Sequence, residues 1–222
     1  MRLVIFDIDG TLLLNGPITG SLFTESFMEV VGRAPVRDDV RFHGNTDRGI
    51  FRRMIGSDEG YERHFEDFAA LFTEKMRAHY PTADGPFLLP GAKELVEALD
   101  ARDDVALAVG TGNIRPSAYV KLGRFGLDAY FPVGGFGGEH LVRADLIRGA
   151  IDEARAHYDV DFDPAESWVI GDTINDVVAA RAAGCRVMAV MTGPHGAAEL
   201  QDADVVVEDL GATGARVATL AG

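Results

Sequence analysis

Short unbroken apolar runs alternate along the chain with longer stretches in which apolar residues recur every three or four positions. The runs are Leu3 to Phe6, Val105 to Val109, Trp168 to Ile170, Val187 to Met191 and Asp204 to Val207. Continuous runs rich in β-branched residues predict strands buried on both faces, as in a parallel sheet. Between them, Ala92 to Leu99, Ala118 to Phe125, Ala144 to His157 and Asn175 to Ala183 carry helical spacing. Strands alternating with helices predict an α/β fold, a doubly wound, mostly parallel, Rossmann-like sheet with helices on both faces. Residues 16–87 break the rhythm. That region has no strand pattern and three helical ones: Ile18 to Val31, Asp47 to Ile55 and Glu59 to His79. In the last, Phe65, Phe68, Leu71, Phe72 and Met76 make a stripe suited to the core of a small bundle. Gly85-Pro86 and Pro90-Gly91 mark the return. The expected organisation is a core of residues 1–15 and 88–222, interrupted after its first strand by a helical insert at 16–87.

Composition narrows the function classes. The chain has 222 residues, 47% hydrophobic and 25% charged, enough for a sizeable core. A formal net charge of -14 repels nucleic acid and anionic membranes, so neither is an expected partner. The same field repels phosphate esters, so a phosphate site must gather positive charge locally. The single cysteine, Cys185, allows no intrachain disulfide and reads as inert packing at a turn. The short apolar start resembles no signal peptide, and no stretch is long enough to span a bilayer. The expected location is cytoplasmic.

Ligands of an open parallel sheet bind beyond the carboxyl ends of its strands. The polar residues at those ends should therefore converge: Asp7 and Asp9, then Thr111-Gly112-Asn113, then Asp172 and Asp176. There is neither a Gly-rich dinucleotide fingerprint nor a Walker loop. Crowded carboxylates repel and protonate unless a cation compensates. Magnesium, a hard ion that favours oxygen ligands, suits such a set. One carboxylate could then attack phosphorus, and a second could move a proton to or from the leaving oxygen. Gly10 permits a turn that gives Asp7 and Asp9 separate tasks.

Asp7-Ile8-Asp9-Gly10-Thr11-Leu12 resembles the first signature of the haloacid dehalogenase superfamily, and Gly171-Asp172-Thr173-Ile174-Asn175-Asp176 resembles its fourth. Their order and the helical insert are similar to phosphatases of that group, above all the subgroup of phosphoglycolate phosphatase and β-phosphoglucomutase with a small helical cap. The resemblance implies that Asp7 is nucleophile and metal ligand. It implies that Asp9 is the acid/base, with its backbone carbonyl on the metal. Asp172 would be a direct ligand, and Asp176 would support the metal or hold the phosphate-binding cation. Gly10 and Thr11 would belong to the phosphate site. Thr111 would hold the transferring phosphoryl group, with the N–H of Gly112 and with Asn113 beside it. Where the family places a lysine, this chain offers Arg143; Lys121 is the next cation to consider.

The resemblance further implies that the cap chooses the substrate. The polar stretch Arg41 to Arg48 is its turn-like part: Thr46 and Asp47 fit a helix start, while His43, Asn45 and Arg48 are candidates to reach the cleft. Gly134, Gly135, Gly137 and Gly138 around Phe136 suggest a flexible loop near the site mouth, with Glu139 or His140 lining it. The expected activity is magnesium-dependent removal of phosphate from a small soluble ester. A phosphomutase shares every motif. A 2-haloacid dehalogenase would need neither a metal nor a proton donor at position 9. A non-catalytic binding protein would have no use for the intact acidic set.

Overall fold

The computed structural model describes residues 1–36, 42–56 and 61–221. Glu59, the expected start of the third insert helix, and Arg41 lie outside these residues. Strand β1 (Arg2–Phe6) pairs in parallel with β4 (Val105–Thr111) on one side and β6 (Trp168–Gly171) on the other. Beyond β4 lies β5 (Gly134–Phe136); beyond β6 lie β7 (Arg186–Val190) and β8 (Val205–Val207). The sheet order is β5-β4-β1-β6-β7-β8, parallel throughout. Leu3, Val4, Ile5 and Phe6 are all fully buried, which is why the run does not alternate with polar residues. Val4 and Phe6 pack toward α4 (Ala92–Asp100), α5 (Arg115–Arg124) and α8 (Thr213–Ala221). Leu3 and Ile5 pack toward α6 (Arg143–Tyr158) and α7 (Ile174–Ala183). Cys185 is buried in that second layer, where burial pushes its thiol up to about 11.

A two-stranded antiparallel ribbon, β2 (Leu13–Leu14) and β3 (Phe87–Leu88), links the sheet to three helices: α1 (Ile18–Val31), α2 (Asp47–Ile55) and α3 (Tyr61–His79). Their shared core is aromatic. Phe23 meets Phe68 edge-on at 4.6 Å between ring centroids, and Phe68 stacks on Phe72 at 5.7 Å. Ile114, from the loop after β4, is buried in the same cluster, so the helices sit on the carboxyl edge of the sheet.

The glycine-rich stretch corrects the expectation of a flexible loop. Gly134 and Gly135 lie in β5 and are buried. A Cβ on Gly135 would stand 1.7 Å from the carbonyl oxygen of Leu146, and one on Gly134 would stand 2.3 Å from a Val109 methyl. The glycines are there because α6 and β4 come too close for side chains.

Candidate functional site

Asp7 extends β1 by one step: its N–H donates to the Ile170 carbonyl at 2.9 Å. The chain then turns. The Ile8 carbonyl accepts from the N–H groups of Leu12 and Leu13 at 2.9 and 3.1 Å, and Gly10 takes a φ of +86° that a side chain would resist. A Cβ on Gly10 would also meet Asp172 Oδ2 at 2.3 Å. The turn sends the two aspartates to different partners.

Asp7 joins Asp172 and Asp176. One carboxylate oxygen from each lies within 4.8 Å of the others, and all three residues are buried. Arg143, the first residue of α6, threads between them. Its Nε donates to Asp176 Oδ1 at 2.8 Å. Its Nη2 stands 2.6 Å from the same oxygen and 3.0 Å from Asp7 Oδ2, without hydrogen-bond alignment to either. Asp176 is also the third residue of α7, where it forms a capping box: its Oδ2 accepts from the Thr173 N–H and hydroxyl at 3.0 and 2.6 Å. Asp172 Oδ1 is 3.4 Å from the Thr11 hydroxyl, while its Oδ2 is buried with no partner. Burial, opposed by Arg143, lifts the Asp7 carboxyl well above the usual range; burial with the charges of Asp176 and Asp7 does the same for Asp172. Three carboxylates against one guanidinium leave two formal negative charges, and a buried hard oxygen lacks a donor. These residues fit a divalent cation.

Asp9 faces the other way. Lys121, on the buried side of α5, places Nζ 2.8 and 2.7 Å from its two carboxylate oxygens and 2.6 Å from Asn113 Oδ1. Asn113 returns its amide to Asp9 Oδ2 at 2.7 Å and to the Thr111 hydroxyl at 2.6 Å. Asn15 donates to Asp9 Oδ1 at 2.5 Å and accepts from the Tyr80 hydroxyl at 2.8 Å. Burial works against the charge on Asp9, but Lys121, Asn15 and Asn113 outweigh it and hold the carboxyl below its ordinary value. Between the two constellations opens a cavity of about 240 Å³. Asp7, Asp9, Thr111, Gly112, Asn113, Lys121 and Arg143 line its floor, and Phe23, Phe42, His43, Asn45, Asp47 and Ile50 line the opposite wall. Asp47 is buried there; desolvation lifts its carboxyl to about 7 against the pull of Lys121.

A profile of haloacid dehalogenase-like hydrolases matches residues 1–184. The chain belongs to this family. Among its relatives, a phosphoglycolate phosphatase of Agrobacterium fabrum is 30% identical over 95% of this chain and 89% of its own. The pyrophosphatase PpaX of Halalkalibacterium halodurans is 24% identical over 84% and 82%. The phosphate complex of CbbY from Rhodobacter sphaeroides shares the fold, with a TM-score of 0.71 at 20% identity over 96% of each chain.

In this haloacid dehalogenase-like hydrolase, the residues expected at the strand ends do converge. Asp9, however, keeps its side chain outside the acidic triad because Lys121 and Asn113 claim both oxygens. Gly10 and Thr11 do not line the cavity; they lie behind it against Asp172. His43 and Asn45 do line it. Arg48 does not: its Nε donates to the Gly138 carbonyl at 2.7 Å, and its other nitrogens pair with Glu62 and Glu66 over the Phe65 ring. Carboxylates one turn apart on α3 hold it better than an open cleft would. Glu139 is exposed and paired with Arg115, and neither it nor His140 lines the cavity. Lys121 was expected at most as a spare phosphate cation, yet its close contacts are with Asp9 and Asn113. Its signal was a lysine in phase with Ser117, Ala118 and Leu122 on the buried stripe of α5. Asn15 carried no signal.

The insert is seated on the core through backbone contacts. The N–H of Asp47 donates to the Gly112 carbonyl at 2.7 Å, that of Arg48 to Gly137 at 3.1 Å, and Asp47 Oδ2 accepts from the Ile114 N–H at 2.8 Å. A Cβ on Gly112 would lie 2.1 Å from the Asn45 carbonyl oxygen. Gly112→Ala is therefore expected to destabilise the seam by about 1–3 kcal/mol, the usual range for overpacking. A thermal melt should show it as a fall of a few degrees; an unchanged melting temperature would mean the seam gives way freely.

Proposed function

We propose that this haloacid dehalogenase-like phosphatase hydrolyses a small phosphate monoester in two steps, with Asp7 as nucleophile. The observation that carries the reading is the division of labour between two aspartates two residues apart. Asp7 shares a buried acidic cluster with one guanidinium, while Asp9 stands across a small cavity on its own hydrogen-bonded network. In the first step an Asp7 oxygen forms a bond to phosphorus as the ester oxygen leaves. The negative charge of the bound phosphate opposes the pull of Lys121, Asn15 and Asn113 on Asp9, which enters this step protonated and supplies the proton that oxygen needs. In the second, Asp9 takes a proton from water as the water attacks the aspartyl-phosphate. Thr111 and the Gly112 N–H lie at the cavity floor, where they can hold the phosphoryl oxygens. Asp7, Asp172 and the Asp9 backbone carbonyl are the residues that would hold magnesium, which supplies charge neutralisation for the phosphoryl group when bound. In this reading Asp176 supports the site indirectly, because its oxygens already serve Arg143 and the α7 cap. The helical insert at 16–87 serves as the cap that selects the leaving alcohol.

The test is phosphate release from a panel of small monoesters, phosphoglycolate among them, with magnesium and with chelator. Magnesium-dependent free phosphate supports the reading. Isomerised sugar phosphate would make the protein a mutase, and turnover of 2-haloacids in chelator would replace the reading altogether.

Metal binding has a signature of its own. Asp7 and Asp172 are shifted up on folding, so the stability they contribute is present below the unfolded carboxylate pKa and is lost as pH rises through the folded values. In chelator the melting temperature should therefore fall from about pH 5 toward pH 9. Magnesium needs the ionised forms, so its stabilisation should grow over the same interval. At about 100 times Kd it amounts to roughly 2.7 kcal/mol, or about 5–10 °C. Scanning calorimetry at matched ionic strength checks this; a magnesium increment that ignores pH would place the ion elsewhere.

A further inference from the structure

The structure assigns Lys121 a task beyond charge balance: it is a positioning residue that sets the Asp9 carboxylate against the leaving oxygen. The inference rests on the reading of Asp9 as proton donor and acceptor. Lys121 is 1% exposed, on a helix whose other buried positions are small or apolar. Placing an ammonium there carries a desolvation cost that needs compensation. Its three N–H donors have three acceptors in reach, both oxygens of Asp9 and Asn113 Oδ1, at 2.6–2.8 Å. That leaves it no proton to offer a substrate phosphate, so it is not the phosphate-binding cation.

The contacts form a brace with two arms. On one side, Asn113 links Lys121, Asp9 and Thr111; its amide orientation is fixed because the oxygen must accept from the ammonium and the nitrogen must donate to the carboxylate. On the other side, Asn15 donates to Asp9 and accepts from the buried Tyr80 hydroxyl. Asp9 is thus held by α5, by the loop after β4, by the loop before α1 and by the turn after α3. Its side chain is still 34% exposed, so one edge remains open to the cavity. A carboxylate fixed in this way keeps the geometry a proton transfer requires, and misplacement of about 1 Å can cost about 100-fold in rate.

The test compares leaving groups. A positioned proton donor matters for an alkyl ester, whose leaving alkoxide is strongly basic, and little for 4-nitrophenyl phosphate, whose leaving group departs unprotonated. Lys121→Met keeps the length and removes the charge. We expect kcat/KM on an alkyl phosphate to fall about 100-fold and that on 4-nitrophenyl phosphate less than about threefold. The magnesium-induced rise in melting temperature, which reads the Asp7 cluster, should remain. Equal losses on both esters, or no loss on the alkyl one, would overturn the assignment. Should Lys121→Met not fold, Tyr80→Phe decides. It removes one hydroxyl from the far end of the brace, and the same selective loss is expected at roughly 3–10-fold; an unselective or absent effect counts against the brace. Asp9→Asn separates the two layers of the argument. If it too strikes both esters equally, Asp9 is not the proton donor and the underlying reading fails; if it is selective while Lys121→Met is not, the positioning role alone fails.

Discussion

Asp7→Asn will lower phosphate release by about 10⁴-fold or more, and the folded protein will become more resistant to heat in chelator. The two effects have one origin. Asp7 is 5% exposed, and its carboxylate shares a site with those of Asp172 and Asp176 under a single guanidinium. Burial and the nearby acids push its carboxyl up, so the ionised form needed for attack on phosphorus is strained by its surroundings. An amide of the same shape relieves that strain. It can keep an oxygen toward Arg143, which stands 3.0 Å from Asp7 Oδ2, and it adds no charge to the cluster. It cannot attack phosphorus at a useful rate. A stopped assay with a more sensitive second measurement for residual phosphate, together with calorimetry in chelator at about pH 8, reads both signs. The gain in stability should shrink with added magnesium, since the wild type recovers what the cation supplies. Full turnover by the variant would remove Asp7 from the chemistry. Lost turnover with lost stability would make Asp7 a structural acid.

The sequence disclosed those parts of the molecule whose causes are local. The run ending at Phe6 had to be a doubly buried strand, and once the strands are parallel the residues after them, Asp7, Thr111 and Asp172, must share an edge. The helical insert was legible from the 3.6 period of its phenylalanines. What stayed hidden depends on contacts between distant positions. Strand β5 has almost no strand propensity, because its glycines answer to the Leu146 carbonyl and the Val109 side chain rather than to their own neighbours. Each strand of the β2–β3 ribbon is two residues long, too short for any period to register. Lys121 pairs with a carboxylate 112 positions earlier, and Arg48 with a carbonyl 90 positions later. In a single sequence an arginine at a helix start looks like a surface residue, and a lysine in phase with a buried stripe signals its burial without naming its partner. Their partners become visible when the sheet edge and the helical insert are brought face to face.

Arg143→Met will cost stability as well as turnover, and the way the loss divides tells what the guanidinium does. Arg143 is 9% exposed and lies within ion-pair distance of both Asp7 and Asp176. Removing one partner from a buried ion pair leaves the other charges uncompensated, typically at about 3–5 kcal/mol. For a chain of this length that is about 6–20 °C in melting temperature. Lysine at 143 restores a charge but not the fork that sets Nε and Nη2 together on Asp176 Oδ1. Arg143→Lys should thus melt close to wild type while kcat falls by about 10-fold or more. A double substitution separates charge balance from chemistry. Asp176→Asn keeps acceptor and donor groups for the α7 capping box while removing one of the stranded charges. Combined with Arg143→Met, it should recover part of the lost stability, a coupling of roughly 0.5–3 kcal/mol in a double-mutant cycle, with no recovery of turnover. Recovery of both would mean that Arg143 only neutralises Asp176. Recovery of stability alone would leave Arg143 with a direct part in orienting Asp7 or the phosphoryl oxygens, which is the outcome its place at the cavity floor favours.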